Sequence, residues 1–292
     1  MRLRADWLSR VLAVPYLPIL GPVHPDLCTP EMFIEVFAEV LAASRAGVAL
    51  PFDKDRRWSP TKDDMVLVDE IVHRPYITII PVLTPRRGGT VKTYFYGDSP
   101  DLDALQAATR RCCTTYGAAH GRVIWFSTNP TRQANHTRVH LKEFRPAPSA
   151  ATGPAVIPLD NCAPEVTTTF TDFTTAMADH GFDFLRKRRD AGHRDGPILV
   201  TQAAGRVVGA IGPLTTMPDR FGRQMLLPQY LGVLPGQRGR GHGRALWRAV
   251  ERWSVHHRAE YQLLQTRTGG ASDQLFQSEG LRPLGYVSTV PA

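Results

Sequence analysis

Arg238, Gly239, Arg240, Gly241, His242 and Gly243 alternate glycine with cationic or polar residues. The chemistry that this spacing permits is anion binding. Glycines strip side chains from a turn, so that several backbone N–H groups can converge on one point. Where such a turn opens a helix, the unsatisfied first-turn amides and the positive end of the helix dipole favour a phosphate. Arg238, Arg240, Arg244 and Arg248 add charge around the same spot.

The flanking elements give that turn its setting. An apolar run over 225–234, broken by Pro228 and Gln229, leads into Pro235-Gly236. After the turn, Leu246, Trp247, Val250 and Trp253 recur at helical spacing, and 261–266 reads as a further strand. The order is strand, tight turn, helix, strand.

Arg238, Gly241 and Gly243 occupy the diagnostic positions of Arg/Gln-x-x-Gly-x-Gly/Ala, and the run thereby resembles the pyrophosphate-binding motif of the GNAT acyltransferase superfamily. The resemblance covers 155–292, where strand, helix, hairpin, strand, phosphate loop, helix, strand, helix and strand follow in the GNAT order. It implies acetyl-coenzyme A as acyl donor. The diphosphate would rest on the amides of Arg238, Gly239, Arg240, Gly241, His242, Gly243 and Arg244. The pantetheine arm would meet the backbone of Leu231 and Val233.

The resemblance also implies direct transfer: a neutral amine attacks the thioester, a base takes its proton and an acid helps the thiolate leave. Many members carry a tyrosine as that acid, four residues before the glycine of a Gly-Phe pair. Counting back from Gly280-Leu281 finds Phe276, which has no proton to give. Ser272, one helical turn earlier, is either a substitute donor or the N-cap of its helix. Gln229 and Tyr230 stand where the family often places a glutamate or a water-holding residue. Asp219, His180, Asp183 and His193 lie in segments that could border an acceptor. None is a compelling base, and a base acting through water is expected.

Length and composition bound the rest. At 292 residues, with 42% hydrophobic and 21% charged residues, the chain has room for two soluble domains. A net charge of +8 suits anionic partners such as a coenzyme. The basic side is almost all arginine, without a run long enough for a nucleic-acid tail, so no nucleic-acid partner is expected. Cys28, Cys112, Cys113 and Cys162 show no zinc spacing, and reduced thiols in the cytoplasm follow. The apolar stretch 11–20 carries Pro15 and Pro18 and is too short to cross a bilayer, so no membrane partner is expected. His136 and His140 read as strand residues without a metal.

Along the chain, a short helix is expected over 7–12. Thr29-Pro30-Glu31 starts a helix running to about residue 44. Strands follow at 65–72, 76–83 and 90–96, then a helix from Asp101 to about Tyr116, and strands at 122–127 and about 135–140. Residues 145–155, rich in proline, alanine, serine and glycine, read as a linker. We therefore expect an N-terminal α+β domain at 1–145, a linker at 146–155 and a GNAT acyltransferase domain at 156–292. The fold class is α/β (α+β), a GNAT-like mixed and mostly antiparallel sheet flanked by helices.

The N-terminal part repeats the strand–helix–strand layout of the motif over 90–128. Its turn, Gly97-Asp98-Ser99-Pro100-Asp101, is acidic and would repel a diphosphate. It reads as a degenerate GNAT-like domain in tandem with the first, or as an unrelated α+β domain. Three functions remain open at this point: an N-acetyltransferase for a small-molecule amine, a coenzyme-binding module that no longer transfers, and an acyltransferase for RNA or a peptide. A homodimer is also left open.

Overall fold

A computed structural model describes residues 14–27, 29–130, 135–145 and 153–292. The helix expected over 7–12, Cys28 and most of the linker at 146–155 lie outside the described residues. The chain forms two compact units, one of Met1–Leu141 with Leu263–Ala292 and the other of Lys142–Gln262. This is not a linear division into 1–145 and 156–292. The reason lies in pairing: the last strand of the chain is laddered between two strands of the first 141 residues.

Unit 1 begins with the hairpin β1 (Tyr16–Leu17) and β2 (Gly21–Pro22). Helix α1 (Pro30–Ala46) follows, capped by Thr29, whose hydroxyl accepts from the Met32 amide at 3.4 Å. The expected strand over 65–72 is instead β3 (Met65–Val66) and β4 (Val72–Arg74), because Val68–Glu70, with its acidic pair, takes a 3-10 turn. β5 (Ile77–Thr84), β6 (Thr90–Tyr96), α2 (Leu102–Tyr116), β7 (His120–Ser127) and β8 (Asn135–Glu143) complete this stretch. Alternation along β6 serves two cores. Tyr94 and Tyr96 join Phe33, Phe37 and Val40 of α1, while Phe95 joins Leu105 of α2 with Val123 and Trp125.

Unit 2 holds β9 (Val156–Pro158), α3 (Pro164–Ala176) and α4 (Phe182–Asp190), the two helices parted by a 3-10 turn at Ala178–His180 and by Gly181 at φ 85°. β10 (Leu199–Ala203) and β11 (Arg206–Gly212) form a hairpin about Ala204 and Gly205, at φ 48° and 71°. β12 (Thr216–Pro218) and β13 (Gln224–Leu226) form a second hairpin. β14 (Tyr230–Val233) and α5 (His242–His256) come next. β15 (Tyr261–Arg267) leaves unit 2 after Gln262, and α6 (Ala271–Ser278) and β16 (Arg282–Pro291) return to unit 1.

Strands β14, β11, β10 and β9 form one antiparallel sheet in that order. Helices cover both its faces. A Cβ added to Gly232 would lie 2.7 Å from the Phe182 ring, and one on Gly209 would lie 3.2 Å from Leu246 of α5. Phe173 and Phe182 meet edge to face at 5.0 Å, joining α3 to α4. In unit 1, β16 is antiparallel to β7 on one side and β8 on the other. The result is the mixed, mostly antiparallel α/β class.

Candidate functional site

Two strand–helix–strand segments carry parallel pairing, and they differ where it matters. In unit 1, β6 and β7 pair from Thr90 with His120 through Phe95 with Trp125. In unit 2, β13 and β15 pair only at Met225 with Tyr261 and Leu226 with Gln262. Leu227, Pro228 and Gln229 then interrupt the strand, and the chain resumes as β14 against β11. Pro228 has no N–H to give a ladder, which fits a break at this place. The run over 225–234 therefore holds two strands, and the edge of β14 that faces away from β11 is the candidate site within unit 2.

β14 is the end strand of its four-stranded sheet. The Leu234 amide donates to the Val208 carbonyl at 2.9 Å. Antiparallel ladders alternate, so Tyr230 and Gly232 also bond towards β11 while Leu231 and Val233 direct their amides and carbonyls away from it. One of these four groups is already engaged: Arg238 Nε donates to the Val233 carbonyl at 3.2 Å and ties the loop back to the strand.

Beyond a short turn at Pro235–Gln237, Gly239 and Gly241 take φ of 77° and 84°, a region in which a side chain is strained. A Cβ on Gly236 or Gly239 would meet nothing within 4 Å. The amides of Gly239, Arg240, Gly241, His242 and Gly243 have no acceptor among the described residues. Gly241 caps α5 without a side-chain hydrogen bond. His242 is 6% exposed, and burial, then the Arg240 charge, holds its imidazole below its ordinary range. Its Nδ1 has no partner. The fixed polarity of this turn is thus backbone N–H, with a neutral imidazole and the exposed Arg238, Arg240 and Arg244 around it. Such a donor set fits a diphosphate.

Gln262 is fully buried where the strands part. Its Nε2 donates to the Leu227 carbonyl at 3.2 Å and to the side-chain oxygen of Gln229, and its Oε1 has no partner. Sequence reasoning missed Gln262; a polar residue inside the apolar run at 261–264 was the available signal. Tyr230 packs against Phe182 and Phe184 at 6.2 and 6.4 Å between ring centres. Gly181 leaves the room, since a Cβ there would lie 2.2 Å from the Tyr230 ring.

The other candidates have structural partners or lie apart. Asp219 accepts from the Phe221 and Arg223 amides at 2.8 and 3.0 Å and from the Tyr261 hydroxyl at 2.9 Å, so it folds the β12–β13 turn. Burial, then that carboxylate, pushes the Tyr261 hydroxyl far up, which makes it a poor proton donor. Asp183 is ion-paired to Arg186 and Lys187 at 2.8 and 2.7 Å, and bonding to Lys187 above all lowers it, which makes it a weak base. His180 and His193 are exposed.

Gln229 and Tyr230 lie in unit 2 with the loop, whereas Ser272 and Phe276 lie on α6 in unit 1. The cap of α6 is Gly270, not Ser272. Asp273 accepts from the Gly269 amide at 2.9 Å instead, and the Ser272 hydroxyl makes no hydrogen bond among the described residues. Phe276 is 5% exposed and its ring meets His140 edge-on at 6.0 Å. Among the described residues no His, Cys, Asp and Glu group has metal-ligand geometry, and no helix is long and apolar enough to cross a membrane.

Residues 163–277 match the model of the Acetyltransferase (GNAT) family. No curated protein sequence matches the chain. Among solved structures, the chain is similar to a conserved protein of unknown function from Staphylococcus epidermidis, at 11% identity and a TM-score of 0.49, over 78% of this chain and 94% of that one. It is similar to a GCN5-related N-acetyltransferase from Sphaerobacter thermophilus, at 12% identity and 0.47, over 74% and 80%. A tandem GNAT protein of the clavulanic acid biosynthesis pathway aligns at 11% identity and 0.47, over 88% and 94%.

Proposed function

We propose that the chain, whose residues 163–277 match the model of the Acetyltransferase (GNAT) family, is an acetyl-coenzyme A-dependent N-acetyltransferase acting on the amine of a small molecule. The observation that supports this reading is the run of five amides without an acceptor among the described residues, Gly239 to Gly243, just after the edge strand β14. Those amides and the start of α5 hold the diphosphate, aided by the positive dipole end. The amide and carbonyl of Leu231 and the amide of Val233 pair with the pantetheine arm as a further strand would.

Bound acetyl-coenzyme A supplies an activated thioester. The chain supplies position and the exclusion of water. Tyr230, wedged between Gly181 and the rings of Phe182 and Phe184, forms a wall on the acceptor side. Gln229, held by Gln262, keeps a side-chain amide beside the interruption of the strand to hold a water that relays the amine's proton.

Calorimetry with acetyl-coenzyme A tests the coenzyme site. Binding is expected with the natural chain and is lost in Gly241→Val. There φ rather than space decides, since a Cβ would meet only Pro154 at 3.6 Å. Equal affinity in that variant sinks the assignment. Release of free thiol across a panel of small amines then tests transfer. A second reading, a module that holds the coenzyme without transfer, is favoured by Phe276 in the acid's place; tight binding with no turnover on any amine would establish it.

A further inference from the structure

Unit 1 contains a polar cavity of about 160 Å³, bordered by Tyr16, Lys54, Asp55, Asp64, Lys92 and Tyr94. Three of the five lysines in the chain, Lys54, Lys62 and Lys92, gather here. Below the cavity, Lys62 is fully engaged, bonding Asp53, Asp55 and the Ile19 carbonyl at 2.5, 3.2 and 2.8 Å. That network pins the tight turn between β1 and β2, where Ile19 has φ 72°.

The groups on the cavity wall keep bonding capacity. Lys92 approaches Asp64 only at 3.8 Å, too far for a hydrogen bond, and bonds nothing else among the described residues. Tyr94 is 5% exposed, borders the cavity, and its hydroxyl has no hydrogen-bond partner among the described residues. Lys54 makes only long contacts, 3.3 Å to Asp55 and 3.4 Å to the Leu20 carbonyl. On the acceptor side, Asp55 and Asp64 each use one carboxylate oxygen, Oδ2 and Oδ1, and leave the other unbonded.

The cluster is charge-balanced, with three ammonium groups against three carboxylates. A simple anion or a simple cation would leave one charge uncompensated, which is costly in a partly buried place. A solute that brings one charge of each sign does not. A volume of about 160 Å³, against about 30 Å³ for a water, admits a solute of a few heavy atoms. From this geometry we propose that the cavity binds the ammonium and carboxylate groups of a small α-amino acid. The carboxylate meets Lys92 and Tyr94, and the ammonium meets Asp55 and Asp64.

The test is calorimetry of the full chain with glycine, with acetate and methylammonium as half-ligands. Glycine is expected to bind, and each half-ligand about tenfold more weakly or worse, since each forfeits a charge-assisted pair. Lys92→Met and Tyr94→Phe are each expected to weaken glycine by about tenfold. Tyr94→Phe removes one oxygen and keeps the ring, so it carries the test if Lys92→Met does not fold. Absence of glycine binding overturns the proposal, as does equal binding of either half-ligand. Unchanged glycine affinity in Tyr94→Phe places the ligand elsewhere and overturns it as well. Neither variant touches the coenzyme loop, so acetyl-coenzyme A binding stays unchanged in both.

Discussion

Gln262 donates to the carbonyl of Leu227 at 3.2 Å, at the residue where the strand through Met225 and Leu226 stops pairing. A ladder group that loses its neighbour inside a protein must find another partner. Here a buried side-chain amide serves in place of the missing strand, and it lets β13 end and β14 begin without an orphaned carbonyl. The break between β13 and β14 thus depends on one glutamine.

Gln262→Leu is nearly the same size and keeps the apolar packing, but it leaves the Leu227 carbonyl without that donor. The expected loss is about 1–3 kcal/mol of stability, read from urea denaturation. Because Gln229 loses the same donor, turnover should fall more than acetyl-coenzyme A affinity. A variant of unchanged stability and turnover would remove Gln262 from the site.

The two parallel strand–helix–strand segments predict how many coenzymes bind. In unit 1 the strands stay paired over six positions, and Asp101 caps α2 by accepting from the Ala104 amide at 3.0 Å. The helix terminus that would greet a phosphate already holds a carboxylate, with Asp98 beside it. One acetyl-coenzyme A per chain is therefore expected by calorimetry. Asp101→Ala should cost about 1 kcal/mol by loss of the cap and leave that stoichiometry at one. A stoichiometry of two would refute the distinction.

Much of this was legible in the residues. The caps at Thr29 and Asp101 and the helix after the glycine-arginine turn follow from local chemistry, which is why these elements were legible. What did not read was non-local. β16 has an unremarkable strand pattern, and nothing in it says that it pairs with β7 and β8. The interruption of 225–233 was visible as Pro228 and Gln229, yet the partner that stabilises it, Gln262, is 33 positions from Gln229. Ser272 looked like a cap because serine so often is one, but Asp273 accepts the Gly269 amide in its place.

Ser272→Ala bears on the acid. The Ser272 hydroxyl makes no hydrogen bond that would orient it, and a coenzyme thiolate is a tolerable leaving group near neutral pH. Removal of the hydroxyl is expected to lower kcat by less than about tenfold, short of the usual contribution of a positioned general acid, with KM for acetyl-coenzyme A unchanged. A fall of about a hundredfold in kcat alone would instead assign Ser272 the role that Phe276 cannot fill.

The pH dependence of stability follows from the group behind Phe276. His140, fully buried, bonds through Nε2 to Thr266 at 2.9 Å and Asp273 at 3.1 Å. Burial holds its imidazole below the ordinary 6.5, although Asp273 pulls the other way. Asp273 is also held low: burial would raise it, but the Gly269 amide, Thr266, Arg138 and His140 outweigh that. Both folded values lie below the unfolded ones, so in each case the unfolded chain binds the proton first as pH falls. Stability is then complete above about pH 6.5, declines below it as His140 is lost, and declines again below about pH 3.8 as Asp273 protonates. His242, held low by burial and Arg240, adds to the first decline. Melting temperatures from pH 8 to 3 should show this order, and His140→Gln should flatten the first decline in part. An undiminished slope between pH 6.5 and 5 in that variant would show that His140 does not contribute to it.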